Sequence, residues 1–252
     1  MLYILLFIFG SVIGSFLGCM GYRIPNKIKT TYPPSFCSEC HKKLKWYMNI
    51  PIFSYIFLKG KCHYCKKPIG FIYFFTELLC AILFVLNYYL YGFTVNFFIS
   101  TIISCVLVVT IVSDFLYYYI SDRVLVISTI LLIIVLYIFT GSNNVLKSIL
   151  NGALMFGIMY AIKMLGNYIF KRESLGDGDI KLMGVVALAI GILPSFIALF
   201  LASVIGLLYS LLIRNINKEG IIPFGPFLII GALLSIYFSE FFDTFIHMII
   251  FK

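Results

Sequence analysis

The sequence predicts an all-α, polytopic membrane protein with about eight transmembrane helices and one polar, cysteine-containing loop. Hydrophobic residues make up 62% of the 252 residues, charged residues make up only 12%, and the mean hydropathy is +1.06. A soluble domain carries about 25% charged and about 45–50% apolar residues. Too little polar surface is therefore available to cover a soluble core, and a very apolar soluble protein is excluded.

Eight apolar runs approach the roughly 20 residues that a spanning helix requires. They cover residues 2–20, 71–91, 94–113, 123–140, 146–168, 180–193, 195–213 and 225–247. The run 180–193 is short, and Pro194 separates it from the next run. These two are either separate spans or a re-entrant or tilted pair, so the count is seven or eight. The first run has no basic segment before it, unlike a secretory signal peptide, and is interpreted as a membrane helix.

The basic residues predict the orientation of these helices, because cytoplasmic loops of membrane proteins carry an excess of Lys and Arg. Ten of the 19 basic residues lie between Arg23 and Lys67. With both termini outside, 17 basic residues fall on the inner side and only Lys147 and Lys252 on the outer side. We therefore expect a first transmembrane helix at 1–20, a cytosolic loop at 21–70 and a transmembrane bundle of about seven helices at 71–252.

Four of the seven cysteines form two CxxC pairs within this basic loop. Twenty-one residues separate Cys40 from Cys62, slightly more than the spacing of about 15–20 usual in such zinc sites. Cys37, Cys40, Cys62 and Cys65 can offer four thiolates to one tetrahedral, structural zinc. Two disulfides or free thiols are the alternatives, although cytosolic thiols stay reduced. His41 and His63 lie in or beside the pairs and are alternative ligands.

The other three cysteines, Cys19, Cys80 and Cys105, lie in or beside apolar runs and are interpreted as small buried apolar residues. The basic charge of the 21–70 loop also suits contact with anionic lipid headgroups. Its proximity to the membrane explains the charge, so we expect no nucleic-acid partner.

Half of the ten acidic residues are predicted at one level of the structure, namely Asp114, Asp122, Glu173, Asp177 and Asp179. Ionisable groups at membrane depth are costly and mark functional sites. Glu173 is readily explained as an ordinary charged residue in a loop at the membrane interface. The same explanation suits Asp114 poorly, because the segments 106–113 and 115–120 on either side are almost wholly apolar.

The segment Gly176-Asp177-Gly178-Asp179 leads into the predicted helix at 180–193. Its glycines allow a tight turn and a close approach to another segment, and a carboxylate is favoured near a helix start. A helix cap would explain Asp179 taken alone. Asp114, however, is predicted at the same depth, and two neighbouring carboxylates share one proton. One can then deprotonate a water while the other protonates a scissile carbonyl, as in an aspartic protease.

These segments resemble the type IV prepilin peptidases, a family of membrane aspartyl proteases with a GxGD signature. The resemblance is carried by residues 176–182, by Ser113-Asp114-Phe115 and by Ile120-Ser121-Asp122, where the family more often has Pro in place of Ser121. Further matches follow in the same order along the chain: Gly14-Ser15-Phe16-Leu17, Arg23-Ile24-Pro25, Asn49-Ile50-Pro51, Phe53-Ser54-Tyr55, Gly60-Lys61-Cys62, Glu77 and Pro223-Phe224-Gly225-Pro226-Phe227.

The resemblance implies that Asp114 and Asp179 are the catalytic pair and that Asp122 and Asp177 are neighbours of undefined role. It implies a substrate of type IV prepilin or pseudopilin precursors, cut at the cytosolic face of a bacterial inner membrane. It also implies N-methylation of the new terminus with S-adenosylmethionine, although the sequence shows no glycine-rich cofactor loop and assigns no residues to this step.

Two other functions remain open from the residues alone. A secondary transporter would place its site near the bilayer midplane on broken helices within repeats, whereas these acids lie at helix ends and no repeat is evident. A non-catalytic membrane scaffold could use the zinc loop to bind a partner, but it would not need the Asp114 and Asp179 pair.

Overall fold

The computed structural model describes residues 1–171, 173–213 and 222–250, and its regular structure there is helical apart from two isolated β-bridges. Arg172, Lys252 and the segment 214–221, which includes the basic residues Arg214 and Lys218, lie outside the described residues. The helices are α1 Leu2–Arg23, α2 Phe53–Phe57, α3 Phe71–Tyr91, α4 Val95–Tyr117, α5 Asp122–Thr140, α6 Ser142–Phe170, α7 Asp177–Ile190, α8 Ile192–Ile213, α9 Gly225–Tyr237 and α10 Ser239–Ile250. A 3-10 turn covers Trp46–Asn49.

Six of these helices are long and apolar enough to cross a membrane within the described part of the chain, namely α1, α3, α4, α5, α6 and α8. Helices α7 and α9 have 14 and 13 residues and are shorter than a full span. The all-helical, multi-pass fold is therefore confirmed. The short run predicted at 180–193 corresponds to α7, but Pro194 does not separate it from the next helix. The break lies at Gly191, which has a φ of 87°, and Pro194 lies in the first turn of α8.

The prediction of one continuous helix over 225–247 is wrong. Helix α9 ends at Tyr237, and Phe238 leaves the helical conformation with φ −109° and ψ 26°. Helix α10 then begins at Ser239 with Glu240 in its first turn, where a carboxylate is favoured by the helix dipole. The hydropathy of the whole run hid this break, because apolar residues predominate on both sides, although Ser239 and Glu240 directly after it are polar.

The helices pack closely because small residues lie at their contacts. This is usual in membranes, where helices associate through close packing and burial of apolar surface from water does not drive them together. Helix α1 packs on α3, and a β-carbon at Gly14 would lie only 2.8 Å from the β-carbon of Cys80. Helix α8 packs on α9 in the same way, with Gly231 directly against the backbone carbonyl of Ala198.

Helix α4 is the central element, since it contacts α1, α3, α5 and α9 and two thirds of its apolar stretch is buried. Successive long helices run in alternating directions. The last turn of α4 therefore lies at the same end as the first turns of α5, α7 and α9. This end of the bundle collects the acidic residues that the sequence analysis singled out.

A polar cluster ties three helices together towards the other end of the bundle. The fully buried Asn87 of α3 donates hydrogen bonds to Thr101 and Ser104 of α4, each over 3.3 Å. Its carbonyl oxygen accepts one from the hydroxyl of Tyr237 in α9 over 2.6 Å. The cluster satisfies polar groups that lipid would leave unpaired and fixes α9 against α4.

Candidate active site and metal centre

Asp114 lies in the last turn of α4 and is buried, with 6% of its surface exposed. Its Oδ2 accepts a hydrogen bond from the backbone N–H of Gly225 over 3.0 Å. Gly225 is the first residue of α9, so its N–H is one of the donors that a helix start leaves without an intrahelical partner. The start of α9 thus orients the Asp114 carboxylate, although Gly225 lies 111 residues further along the sequence.

Asp179 lies in the first turn of α7 and is partly buried. Its carboxyl group is close enough to Asp114 for the two to interact electrostatically. Its Oδ1 is buried and has no hydrogen-bond partner among the described residues. The structure therefore brings the two predicted aspartates together and leaves one carboxylate oxygen of Asp179 available to a further partner.

Ile120, in the connection between α4 and α5, lies between the starts of α7 and α9. A β-carbon at Gly178 would lie 2.8 Å from the β-carbon of Ile120, and one at Gly225 would lie 2.9 Å from its Cδ1. The glycines of the Gly176-Asp177-Gly178-Asp179 segment were predicted to allow a tight turn and a close approach. Gly178 provides the approach, while Gly176 has an ordinary extended backbone with φ −69° and ψ 142°.

Asp122 and Asp177 lie beside Asp114 and Asp179. Each of them forms an exposed ion pair with a lysine. Lys181 of α7 pairs with Asp122 of α5 over 2.7 Å, and Lys163 of α6 pairs with Asp177. Both carboxylates are largely exposed, with 64% and 73% of their side-chain surfaces accessible. These pairs link α5, α6 and α7 around the rim of the site.

The sequence analysis did not assign roles to Gly225, Ile120, Lys163 or Lys181. Their positions depend on contacts between distant segments, which no local pattern reveals. The Pro-Phe-Gly-Pro-Phe segment at 223–227 was a usable signal, because a glycine beside prolines at a helix start indicates a backbone held close to another group.

The first CxxC pair forms a tight knuckle in the 21–70 loop. The N–H of Cys37 donates to the carbonyl of Lys42 over 3.1 Å, and the N–H of His41 donates to the carbonyl of Cys37 over 2.9 Å. His41 has a φ of 54°, which turns the chain back after Cys40. Phe36 and Lys43 close the knuckle as a β-bridge.

The second pair repeats this geometry. The N–H of Cys62 donates to the carbonyl of Lys67 over 2.9 Å, and the N–H of Lys66 donates to the carbonyl of Cys62 over 3.0 Å. Lys66 has a φ of 60°, and Lys61 and Pro68 form the matching bridge. Two equivalent knuckles therefore face each other, as a shared metal requires.

The sulfurs of Cys37, Cys40, Cys62 and Cys65 all lie within 4.8 Å of one another. The Cys37 and Cys65 sulfurs are 3.9 Å apart, close to the separation of about 3.8 Å in tetrahedral coordination with zinc–sulfur bonds of about 2.3 Å. Within the described residues neither His41 nor His63 belongs to this group, and all seven cysteines are free thiols. The cluster can hold a metal such as zinc.

Comparison with known proteins agrees with this geometry. The sequence model of the bacterial peptidase A24 N-terminal domain matches residues 8–91, and that of the type IV leader peptidase family matches residues 101–211. The chain belongs to the type IV leader peptidase family. The resemblance seen in the motifs is thereby confirmed, and with it the expectation of a peptidase.

Curated relatives match this chain over nearly the whole length of both sequences. A prepilin leader peptidase/N-methyltransferase of Bacillus subtilis is 29% identical over 94% of each chain. One from Vibrio cholerae is also 29% identical, over 94% of this chain and 97% of the relative. A type 4 prepilin-like proteins leader peptide-processing enzyme of Escherichia coli is 27% identical over 92% and 93%. No solved structure matches the chain.

Each of the two family models covers one of the candidate sites in this chain. The four cysteines fall within the N-terminal match at 8–91, whereas Asp114 and Asp179 fall within the peptidase match at 101–211. Helices α1 and α4 contact each other, so the two parts pack together.

Proposed function

We propose that the protein is a membrane aspartic endopeptidase that removes the leader from type IV prepilin-like precursors, with Asp114 and Asp179 as its catalytic pair. The observation that carries the proposal is the position of these two carboxyl groups at one end of a membrane bundle, near enough to interact electrostatically. Neighbouring carboxylates in apolar surroundings cannot both ionise cheaply, so one proton is shared between them. This is the proton arrangement that aspartic proteases use.

The two carboxyl groups divide the work of peptide hydrolysis. The ionised member takes a proton from a water, whose oxygen then attacks the scissile carbonyl carbon. The protonated member donates to the carbonyl oxygen as the tetrahedral intermediate forms. Gly225 supports this step because its N–H holds Oδ2 of Asp114 in one orientation, while the unpaired Oδ1 of Asp179 is free to contact the water.

The substrate class follows from the names of the relatives, which are prepilin leader peptidases. A prepilin has a short basic leader followed by an apolar helix. The apolar helix could remain in lipid beside the bundle while the leader reaches the site at the ends of α4 and α7. The lipid bilayer is the other partner that the exposed apolar helices require.

We further propose that the protein resides in the bacterial cytoplasmic membrane with both termini outside and the site facing the cytosol. The basis is the distribution of Lys and Arg, ten of which lie in the loop 21–70. In this division, residues 1–20 are the first span, 21–70 are the cytosolic zinc loop, and 71–252 are the peptidase bundle.

Zinc at the four cysteines would have a structural role, because four cysteine ligands leave no open coordination position for water. A loop of about 50 residues is too small to fold firmly on its own core, so metal binding would supply stability. The N-methyltransferase activity in the names of the relatives leads us to propose a second step here, transfer of a methyl group from S-adenosylmethionine to the new N-terminus.

A secondary transporter and a zinc-bearing scaffold are not favoured. The acids lie at the ends of α4 and α7, not at broken helices near a bilayer midplane. A scaffold has no use for a buried aspartate beside a partly buried one, since burying ionisable groups is costly.

Co-expression with a prepilin-like precursor tests the function directly. Mass spectrometry of the precursor should show loss of the leader and the gain of one methyl group on the mature N-terminus. An uncut precursor, in cells where the protein is inserted in the membrane, would contradict the peptidase proposal. A cut but unmethylated product would contradict only the second step.

A further inference from the structure

Three buried oxygen atoms near the aspartate pair have no hydrogen-bond partner among the described residues. They are the hydroxyls of Ser113 and Ser121 and Oδ1 of Asp179. The two serines are only 1% and 3% exposed. Buried polar groups in folded proteins are nearly always paired, so each of these atoms requires an explanation. Ser128 follows the rule, because its hydroxyl donates to the carbonyl of Leu125 over 2.8 Å.

Ser121 does not cap the helix that it precedes. It is the N-cap residue of α5, a position at which a serine usually accepts a hydrogen bond from a backbone N–H of the first turn, and no such bond forms between the described residues. The N–H of Leu125 donates to the Ser121 carbonyl over 3.2 Å, so Ser121 continues the register of α5. The type IV prepilin peptidases more often have proline here, which has no hydroxyl. The role of the Ser121 hydroxyl is therefore particular to this chain.

The three atoms lie on helix faces that meet. A small cavity between α4, α5 and α7 is lined by residues of each helix, among them Val106, Ser128 and Val186. Ser113, Ser121 and Asp179 each lie seven residues from the lining residue of their own helix, and always towards the end that holds the aspartate pair. Seven residues make two helical turns and return to nearly the same face, about 10 Å further along. The ion pair between Lys181 and Asp122 shows that α5 and α7 begin at the same level. The three oxygens therefore converge.

The carboxyl group of Asp179 has one outer and one inner oxygen. Oδ2 lies beside the exposed Gly176, where an added β-carbon would be 3.1 Å away, whereas Oδ1 is buried. The N–H of Gly225 orients Asp114, but Oδ1 of Asp179 has no equivalent donor among the described residues. A group that donates to Oδ1 would complete the pair.

We propose that Ser113, Ser121 and Oδ1 of Asp179 bind a water molecule, and that this is the water which attacks the scissile carbonyl. Buried waters make about three hydrogen bonds to groups that are otherwise unpaired, and three such groups converge here. Oδ1 accepts a hydrogen bond from the water, while a serine hydroxyl can donate to its oxygen or accept its other proton. The inference rests on the proposed peptidase function.

The serines hold the water in the reaction and exchange no proton with it. The water oxygen bonds to the carbonyl carbon while one of its protons passes to the ionised member of the pair, and the protonated member gives its proton to the carbonyl oxygen. When the carbon–nitrogen bond breaks, its electron pair stays on nitrogen, which takes the proton from the first carboxyl group. A hydroxyl of the intermediate returns its proton to the second group, which restores the pair and leaves a carboxyl group on the leader.

A crystal structure of the full-length protein in lipid, at a resolution that shows ordered waters, tests the site itself. We expect a water within about 2.5–3.0 Å of Oδ1 of Asp179 and of the hydroxyls of Ser113 and Ser121. Direct hydrogen bonds between these groups, a water that misses either hydroxyl, or no water at Oδ1 would each overturn the inference. This result does not depend on whether any precursor is cut.

Leader removal in lipid nanodiscs tests the role of the water. Ser113→Ala and Ser121→Ala each lose one hydrogen bond to the attacking water, so kcat should fall about threefold to tenfold while KM stays the same. Ser128→Ala is the matched control, because this serine is 4% exposed on the same helix as Ser121 but its hydroxyl is satisfied within α5. It should cut at the unmodified rate. Unchanged kcat in both serine variants, or an equal loss in Ser128→Ala, would overturn the inference.

A second pair of variants separates the hydroxyl of Ser121 from its packing. Threonine and valine have the same shape, but only threonine keeps the hydroxyl. Ser121→Thr should therefore have the higher kcat. If the unmodified protein cuts the precursor and Ser121→Thr and Ser121→Val have equal kcat, the water site fails while the peptidase function stands. If the unmodified protein is inserted in the membrane and cuts nothing, the proposed function fails, and this inference fails with it.

Discussion

The backbone N–H of Gly225 and the carboxylate of Asp114 are joined by a 3.0 Å hydrogen bond between residues from different helices. The bond brings the start of α9 to the end of α4. Ile120 fills the space between Gly225 and Gly178 at the start of α7. The orientation of the proposed catalytic pair, Asp114 and Asp179, therefore depends on the fit of two glycines around one side chain.

Gly178→Ala should disable the peptidase without unfolding the bundle. The new β-carbon would lie 2.8 Å from the Ile120 β-carbon, and overpacking of this kind costs about 1–3 kcal/mol. The displacement of Asp179 should lower the rate of leader removal on the order of a hundredfold. Gly157→Ala, in α6, is the matched control, because nothing lies within 4 Å of its added carbon. Equal rates for the two variants in nanodiscs would show that the contact with Ile120 does not position the site.

The rim ion pairs should matter much less than the buried pair. Exposed salt bridges contribute about 0.2–1 kcal/mol, so Asp122→Asn and Asp177→Asn should each lower the cleavage rate about fivefold or less. The effect should diminish further in high salt, which screens exposed charges. Initial rates measured at low and high ionic strength check this, and a complete loss of cleavage in either variant would place that aspartate in the catalytic machinery.

The cysteine cluster should bind about one zinc per chain by elemental analysis of the purified protein, the number that a single four-cysteine site holds. Cys62→Ser should lose the metal and make the 21–70 loop sensitive to proteolysis, whereas Cys19→Ser, outside the cluster, should retain both properties. A folded, reduced preparation that contains no metal would contradict the structural role of zinc.

The proposed orientation, with both termini outside, predicts which positions a membrane-impermeant thiol reagent reaches in intact cells. A cysteine at Asn143, in the exposed start of α6, should react, and one at the exposed Ser174 should not. The natural cysteines provide the background measurement. Ser121 is unsuitable for this test because it is 3% exposed and would be protected on either side. Labelling at Ser174 but not at Asn143 would mean that the orientation is inverted and the cytosolic site assignment is wrong.

Much of the fold and of the candidate site could be predicted from the sequence, because the decisive signals are local. Apolar runs of span length identify most helices, and the CxxC spacing predicts the metal cluster. The approach of Asp114 to Asp179 was also predicted, since both were expected at the same end of antiparallel helices.

The remaining features depend on contacts between distant segments. Neither the Gly225 N–H on Asp114 nor the Ile120 contact with Gly178 has a local signature, because each joins residues that are far apart in sequence. The break at Phe238 lies within a mainly apolar run, in which only the polar residues Ser239 and Glu240 mark the start of a new helix. A cavity lined by Glu77 lies between α1, the start of α3 and the cysteine loop, and it can be recognised only once these segments are placed together.

The rate of leader removal by purified Asp114→Asn and Asp179→Asn in nanodiscs tests the central claim most directly. Asparagine has nearly the same shape as aspartate but cannot take or donate the shared proton. Each variant should therefore lose at least about a hundredfold in rate while retaining its metal. Asp122→Asn, measured beside them, should retain most of its activity. Cleavage at the unmodified rate by either Asp114→Asn or Asp179→Asn would contradict the assignment of these residues as an aspartyl catalytic pair.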